Sequence, residues 1–338
     1  MKLALACSGE GRGHVSRIIA LAEHLIPDYA LIFYAPSTVA PILEARFPDC
    51  TVKSIPHLHY CNKQFRIDYG GTVAANTRLI LDFGKTVQSI QNDLTDERVG
   101  AVISDFEPFV SQAALKMAIP LCRINHPAVV LRSFSLSFDA LLAKLVSRCM
   151  LRGDAALDII VSFYRGDTGP FIREEIRSRV PVRGKKFLVY TKPSFHESLM
   201  NALAVFDGLE YDLFPDPSKD FPEALASCRG VIAGAGHQII SEALHLGKPV
   251  LAIPATGQYE QRLNAIMLEK SGMGMYADSR KLSKALVRFL DTIDQFGTQD
   301  LRSSERFHLK DDSNTILTMV REFVSLSIPM RRAKQKTA

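Results

Sequence analysis

A chain of 338 residues is about twice the usual domain size of roughly 100 to 200 residues, so two compact units with separate cores are expected. With 47% hydrophobic and 23% charged residues, 20 Gly and 17 Pro, the balance is that of a globular protein and excludes a disordered chain. The net charge of +5 owes most to Arg331, Arg332, Lys334 and Lys336, which read as a frayed basic tail over residues 326–338, so no nucleic-acid partner is implied.

Residues 2–8 form an apolar run closed by a Gly-rich hexapeptide, and Val15, Ile18, Ile19, Ala22, Leu25 and Ile26 follow at helical spacing, which predicts strand, loop, helix. Strands are expected again at 30–35, ended by Pro36, and at 51–55, 101–104 and 120–124, with a helix over 110–117. This alternation predicts an open α/β domain over residues 1–163. Residues 131–151 place Phe134, Phe138, Leu141, Leu142, Leu145, Val146 and Cys149 at helical spacing beside Arg132, Lys144, Arg148 and Arg152. They read as a helix packed on the sheet with solvated basic residues, the alternative being a membrane-facing helix. A strand at 158–163 precedes a polar stretch at 164–186, taken as the domain boundary. Strands at 187–191, 230–233 and 249–253 then alternate with helices at 197–203, 238–246 and 262–270. A second α/β domain over 187–325 follows, and a cleft between the two sheets is the expected ligand site.

Cys7, Cys50, Cys61, Cys122, Cys149 and Cys228 show neither a CxxC pair nor zinc-site spacing and read as reduced thiols. The apolar run at 3–7 is too short for the core of a signal peptide, and no stretch reaches the roughly 20 apolar residues of a membrane span. A cytoplasmic location is the expectation.

The loop at 9–14, Gly-Glu-Gly-Arg-Gly-His, lies between a strand and a helix start, where open backbone N–H groups hold anions; Gly11, Arg12 and Gly13 are candidates for contact with a phosphate or an acceptor. Its sixth position is His14 where a dinucleotide fingerprint needs Gly or Ala, the second strand lacks an acidic ribose ligand, and no GK[ST] follows a Gly-rich loop. These departures argue against an NAD enzyme and a P-loop NTPase. His14 is a candidate general base, with a structural or capping histidine as the plain alternative. Asp105, at the end of a later strand on the same sheet edge, can orient it, although Asp105 or Glu107 also suits a helix cap.

The densest signal runs from Ala233 to Pro254, reading AGAGHQIISEALHLGKPVLAIP, and continues through Gln258, Glu260, Gln261, Asn264 and Ala265 to Gly272. It resembles the C-terminal signature of GT-B glycosyltransferases, particularly the inverting group that includes the bacterial GlcNAc transferase of lipid-linked peptidoglycan synthesis and the plant glucosyltransferases. The His-terminated first loop is similar to theirs at the other end of the chain. The resemblance implies two Rossmann-like domains with parallel sheets facing an interdomain cleft, and hexosyl transfer from a nucleotide sugar, UDP-linked in most such families. Gly234, Gly236, His237 and Gln238 would hold the diphosphate at a helix start without metal. Glu242 would accept the ribose hydroxyls, and Glu260 and Gln261 would touch the sugar. Thr191 and Ser194 would meet phosphate or uracil. No cofactor and no metal site are expected, the nucleotide sugar being a substrate. Asn264, Ala265 and Gly272 read as packing and capping residues, His196 and His245 as surface or core histidines, and His57 and His59 as a pair on the acceptor side.

Two other readings share these residues. A UDP-sugar 2-epimerase or hydrolase would need extra carboxylates, for which Glu10, Asp105 and Glu107 are available. A nucleotide-sugar-binding or scaffold protein would need none. The acceptor is unidentified. The resemblance and the basic amphipathic stretch at 131–151 together suggest a lipid-linked one, met at the inner face of a membrane.

Overall fold

The computed structural model describes residues 1–9, 12–63, 66–297 and 307–335. In the first unit, strands β1 (Lys2–Cys7), β2 (Ala30–Ala35) and β3 (Thr51–Ser54) precede a two-residue hairpin, β4 (Asn62–Lys63) with β5 (Arg66–Ile67). Strands β6 (Val99–Asp105), β7 (Leu121–Asn125) and β8 (Leu157–Ile160) follow. The sheet is parallel, in the order β3-β2-β1-β6-β7-β8. Its central strands are buried almost throughout and mostly apolar because helices cover both faces. Leu3, Leu5 and Cys7 point to one face with Leu31 and Phe33, while Ala4 and Ala6 join Ile32 and Tyr34 on the other, as the two-residue period of a strand requires.

Helices α1 (Arg12–Leu25) and α2 (Ala40–Arg46) lie on the first face, and α4 (Phe83–Asp96) and α5 (Pro108–Lys116) on the second. Between them, α3 (Tyr69–Leu81) buries only Asn76. Helix α6 (Phe138–Met150) follows a 3-10 turn, Pro127–Arg132. The sequence favoured an α6 with its apolar side packed inward. Instead it buries Ala140, Ser147 and Met150 and leaves Phe138, Leu141 and Leu145 exposed, as are Phe134 and Leu136 in the segment just before it.

The stretch expected as a polar boundary, 164–186, is packed in its first half: Tyr164, Ile172 and Ile176 belong to the second unit's core and Phe171 to the first unit's. It carries the short helix α7 (Glu174–Arg177). The second sheet, in the order β10-β9-β11-β12-β13, is also parallel. Its strands are β9 (Phe187–Tyr190), β10 (Tyr211–Phe214), β11 (Val231–Gly234), β12 (Val250–Ile253) and β13 (Gly274–Tyr276). Helices α8 (Pro193–Leu203), α9 (Phe221–Ser227), α10 (His237–His245), α11 (Tyr259–Lys270) and α12 (Leu282–Thr292) surround it.

Helix α13 (Ser313–Gln335) departs from the expected division. The sequence assigned residues up to 325 to the second unit and the rest to a frayed tail. The helix crosses back and buries Ile316, Leu317, Val320, Phe323 and Val324 in the first unit's core. Arg331, Arg332 and Lys334 continue it, and Lys336 lies outside the described residues.

Candidate active site

The C-terminal edges of β1, β6, β7, β9 and β11 border one cleft between the units, with a volume of about 980 Å³. That is ample for a nucleotide and a sugar.

On the first unit, β1 delivers the chain to α1 and thereby places His14 in its first turn. Strand β6 ends at Asp105, after which Phe106 takes a left-handed backbone conformation, φ 55°, uncommon for a bulky residue and the kind of strain found at functional sites. This turn separates two carboxylates. Asp105 faces His14, with Nδ1 to Oδ1 at 2.8 Å, while Glu107 caps α5 by accepting from the N–H groups of Phe109 and Val110. The Phe106 ring stacks on the imidazole at 6.1 Å.

A third member was not foreseen from the sequence. Arg17, one turn beyond His14 and buried, donates through Nε to Asp105 Oδ2 at 2.7 Å and through Nη2 to Oδ1 at 3.1 Å. Burial pushes the Asp105 carboxyl up, but the Arg17 charge and the hydrogen bonds from His14 and Arg17 prevail and hold it below its ordinary value. An ionised Asp105 can only accept, so His14 Nδ1 carries the proton and Nε2 is left as the basic nitrogen. Arg17 Nη2 also lies 3.0 Å from His14 Nδ1, but two donors cannot bond each other, and its proton goes to Asp105.

Across the cleft, β11 ends at Gly234 and α10 begins after Gly236, whose side has no capping group. The first N–H groups of α10 have no partner within the helix. His237 opens it, 5% exposed, with Nε2 accepting from the Phe163 N–H at 3.3 Å. Its proton therefore sits on Nδ1, which is buried and has no partner among the described residues. A buried donor left unpaired costs about 1 to 3 kcal/mol, so an acceptor is wanted there. Gly13 has another use than the sequence suggested: a Cβ there would lie 3.3 Å from Gln238 Cβ, so the glycine lets α1 approach α10 closely.

His126, at the end of β7 and unnoticed in the sequence, stacks on His237 at 3.7 Å between ring centroids. Its Nε2 meets Asn264 Oδ1 at 2.9 Å, which also accepts from the Tyr164 hydroxyl at 2.5 Å, while Asn264 Nδ2 donates to Ala235 O at 3.1 Å. Asn264 thus joins the two units, beyond its expected packing role. Burial pushes the His126 imidazole down to about 3 and His237 well below its ordinary value, so both rings are neutral.

Glu242 lies one turn into α10 and borders the cleft, but its carboxylate is not free. Arg173, just before α7, donates through Nε to Oε1 at 2.8 Å and through Nη2 to Oε2 at 2.9 Å, and Gln238 Nε2 donates to Oε1 at 3.0 Å. Arg173 was also missed. Gln261 uses Oε1 to hold the Ala255 N–H at 2.9 Å. Glu260 stands 3.8 Å from His126 Nε2, and burial pushes its carboxyl up. Thr191 borders the cleft, buried, with its hydroxyl on Lys192 O. Gly11, Glu10 and the Ser194 side chain lie outside what the structure describes.

Arg12 and Lys192 border the cleft from opposite units, and neither has an ion-pair partner among the described residues. Among the described residues there is no cluster of three or more His, Cys, Asp or Glu arranged to hold a metal. His57 and His59 contact one another at 4.2 Å outside the cleft lining.

An uncharacterized glycosyltransferase of Methanosarcina mazei is 25% identical over 330 residues, covering 81% of this chain and 85% of its own. The UDP-N-acetylglucosamine–N-acetylmuramyl-(pentapeptide) pyrophosphoryl-undecaprenol N-acetylglucosamine transferase 2 of Bacillus cereus is 28% identical over 159 residues, 45% of this chain and 43% of its own. Among solved structures, Acinetobacter baumannii MurG superposes with a TM-score of 0.61 at 14% identity, covering 95% of this chain and 99% of that one. LpCGTa in complex with UDP does so with a TM-score of 0.59 at 14% identity, covering 96% and 99%. The two parallel sheets and their cleft are those of the GT-B fold. The model of glycosyl transferase family 1 matches residues 1–294, and the chain belongs to that family of glycosyltransferases.

Proposed function

We propose that the protein moves a sugar from a UDP-linked donor to an acceptor hydroxyl in one inverting displacement. The observation that carries this reading is the His14 imidazole, its Nδ1–H fixed by Asp105 and Arg17, on the cleft that the open start of α10 also borders. The acceptor O–H proton passes to His14 Nε2 as the oxygen attacks the anomeric carbon. The bond from that carbon to the diphosphate oxygen breaks, and its electron pair leaves with the nucleotide. One in-line attack inverts the anomeric centre. The start of α10, the His237 Nδ1–H donor and the unpaired charges of Arg12 and Lys192 act where negative charge develops. This needs no cofactor or metal. Glu242 takes the ribose, Glu260 and Gln261 the sugar, and Thr191 a phosphate or the base.

The epimerase or hydrolase reading loses support from the carboxylates themselves, since Glu107 is spent on a helix cap and Asp105 on Arg17 and His14. Calorimetric titration with UDP, UDP-GlcNAc, UDP-glucose and GDP- or TDP-sugars tests the donor half. One of them binds wild type, and Glu242→Ala weakens it by roughly a kcal/mol or more; binding of none overturns the reading.

For the acceptor we propose a lipid-linked molecule reached from the cytoplasmic face of a membrane. The name of the Bacillus cereus relative carries an undecaprenol-linked acceptor, and Phe134, Leu136, Phe138, Leu141 and Leu145 are exposed, with the exposed Arg148 in the last turn of the same helix as the last three. Each such side chain contributes up to about 1.5 to 3 kcal/mol on full burial, and the cation favours anionic headgroups. No helix among the described residues is long and apolar enough to cross a membrane. Vesicles of anionic lipid at low salt should bind wild type and release Phe134→Glu/Leu141→Glu; failure to bind wild type ends the membrane part alone.

A further inference from the structure

The ribose-binding role proposed for Glu242 meets an accounting limit. An ionised carboxylate offers about four lone-pair directions. Arg173 and Gln238 fill both directions of Oε1, and Arg173 fills one of Oε2. The Glu242 side chain is 2% exposed and that of Arg173 20%, so the guanidinium covers the carboxylate. Neither donor is loose. The Gln238 amide also reaches Phe171 O at 3.3 Å, and the Arg173 guanidinium lies over the Phe221 ring at 5.6 Å.

We propose that Arg173 is a positioning residue that, with the donors among the described residues, leaves Glu242 a single acceptor direction, on Oε2, so that the donor site reads one of the two ribose hydroxyls and tolerates loss of the other. A ribose diol donates two protons. Seating both on Glu242 requires the Gln238 amide or the guanidinium fork to leave, and the bidentate fork is the stronger hold. Arg173 belongs to the segment between the two units, so the second sheet alone does not define nucleotide selection. The inference rests on Glu242 being the ribose ligand.

The test is calorimetry of UDP, 2′-deoxy-UDP and 3′-deoxy-UDP with wild type, Arg173→Met and Arg173→Lys. On wild type, one deoxy analogue binds about ten- to a hundredfold more weakly than UDP and the other within about threefold. In Arg173→Met both oxygens are opened, and the tolerated analogue becomes discriminated as well. Because that variant leaves a buried carboxylate unpaired, Arg173→Lys, whose single point charge vacates part of the fork, is the second variant, with thermal unfolding to verify its fold. Equal weakening of both analogues on wild type, or discrimination unchanged in both variants, overturns the proposal. If UDP binds and neither analogue is weakened, Glu242 is not the ribose ligand; if no nucleoside diphosphate binds, the donor reading itself fails.

Discussion

Replacing Asp105 by Asn keeps the shape of the side chain and removes its charge, which separates the chemical role of this carboxylate from its bulk. Asp105 is 1% exposed and accepts from Arg17 Nε at 2.7 Å, Arg17 Nη2 at 3.1 Å and His14 Nδ1 at 2.8 Å. The amide has one acceptor where three donors converge. If its oxygen turns to Arg17, its NH₂ faces His14 and forces Nδ1 to accept, moving the imidazole proton to Nε2 and abolishing the base. If its oxygen turns to His14, two donors collide at Arg17. In both arrangements a buried guanidinium loses its counter-charge, which costs about 3 to 5 kcal/mol of stability. Loss of general-base assistance lowers turnover about 10²- to 10⁴-fold. The assay is release of nucleoside diphosphate from the donor with an acceptor that supports wild-type turnover, beside calorimetric donor affinity and urea unfolding. Turnover within about threefold of wild type, with donor affinity intact, would refute the tautomer argument; a tenfold or greater loss of donor affinity would move Asp105 into donor binding.

The same carboxyl, held below its ordinary value, stabilises the fold above its unfolded value of about 3.9 and ceases to as pH falls through its folded value. The stability gap between wild type and Asp105→Asn should therefore narrow below about pH 4 in acid-dependent urea melts. Asn264→Leu removes the partners of His126 Nε2, the Tyr164 hydroxyl and Ala235 O together, and should cost about 3 kcal/mol or more by denaturant unfolding. Tyr69→Phe deletes a 2.6 Å bond to Gly257 O, in the loop before Glu260, and should lower stability by about 0.5 to 1.5 kcal/mol while weakening the sugar nucleotide more than its bare diphosphate. Gly257→Ala should be worse than Tyr69→Phe in the same assay, since φ is 85° there and a Cβ would stand 2.9 Å from the Tyr69 hydroxyl.

The strands that deliver site residues were legible because each is a short, nearly continuous apolar run with turn residues after it, and two of these runs lead into Gly-rich loops. What escaped were charged residues whose value is tertiary. Arg17 sits three residues after His14 on α1 and reads as an ordinary solvated helix residue, although it is 3% exposed. A basic residue three positions beyond a candidate base was the available signal. Arg173 lies in a stretch whose Pro and Gly content reads as linker, and nothing local marks it as the partner of a residue far along the chain. His126 follows a strand in Asn-His-Pro, a turn-like context that hides its reach to Asn264. Helix α4 has a clear amphipathic spacing in Val87, Ile90 and Leu94, whereas α3 buries no apolar side chain and its period carries little information. Strand β10 is four residues at a sheet edge, too short for a periodicity argument.

The return of α13 to the first unit makes that unit a host and the second a guest inserted into it. Two chain crossings, near residues 163–186 and 307–313, then join guest to host as two pins join a door to its frame. Contacts away from the pins, His126 to Asn264 and Tyr69 to Gly257 O among them, hold the door against its frame. Cutting the chain before Ser313 would strip Ile316, Val320 and Val324 from a core they share with Leu3 and Phe33, so the host cannot be excised as one continuous piece, and the guest in turn shares its core with Val129, Val130 and Ala140 of the host.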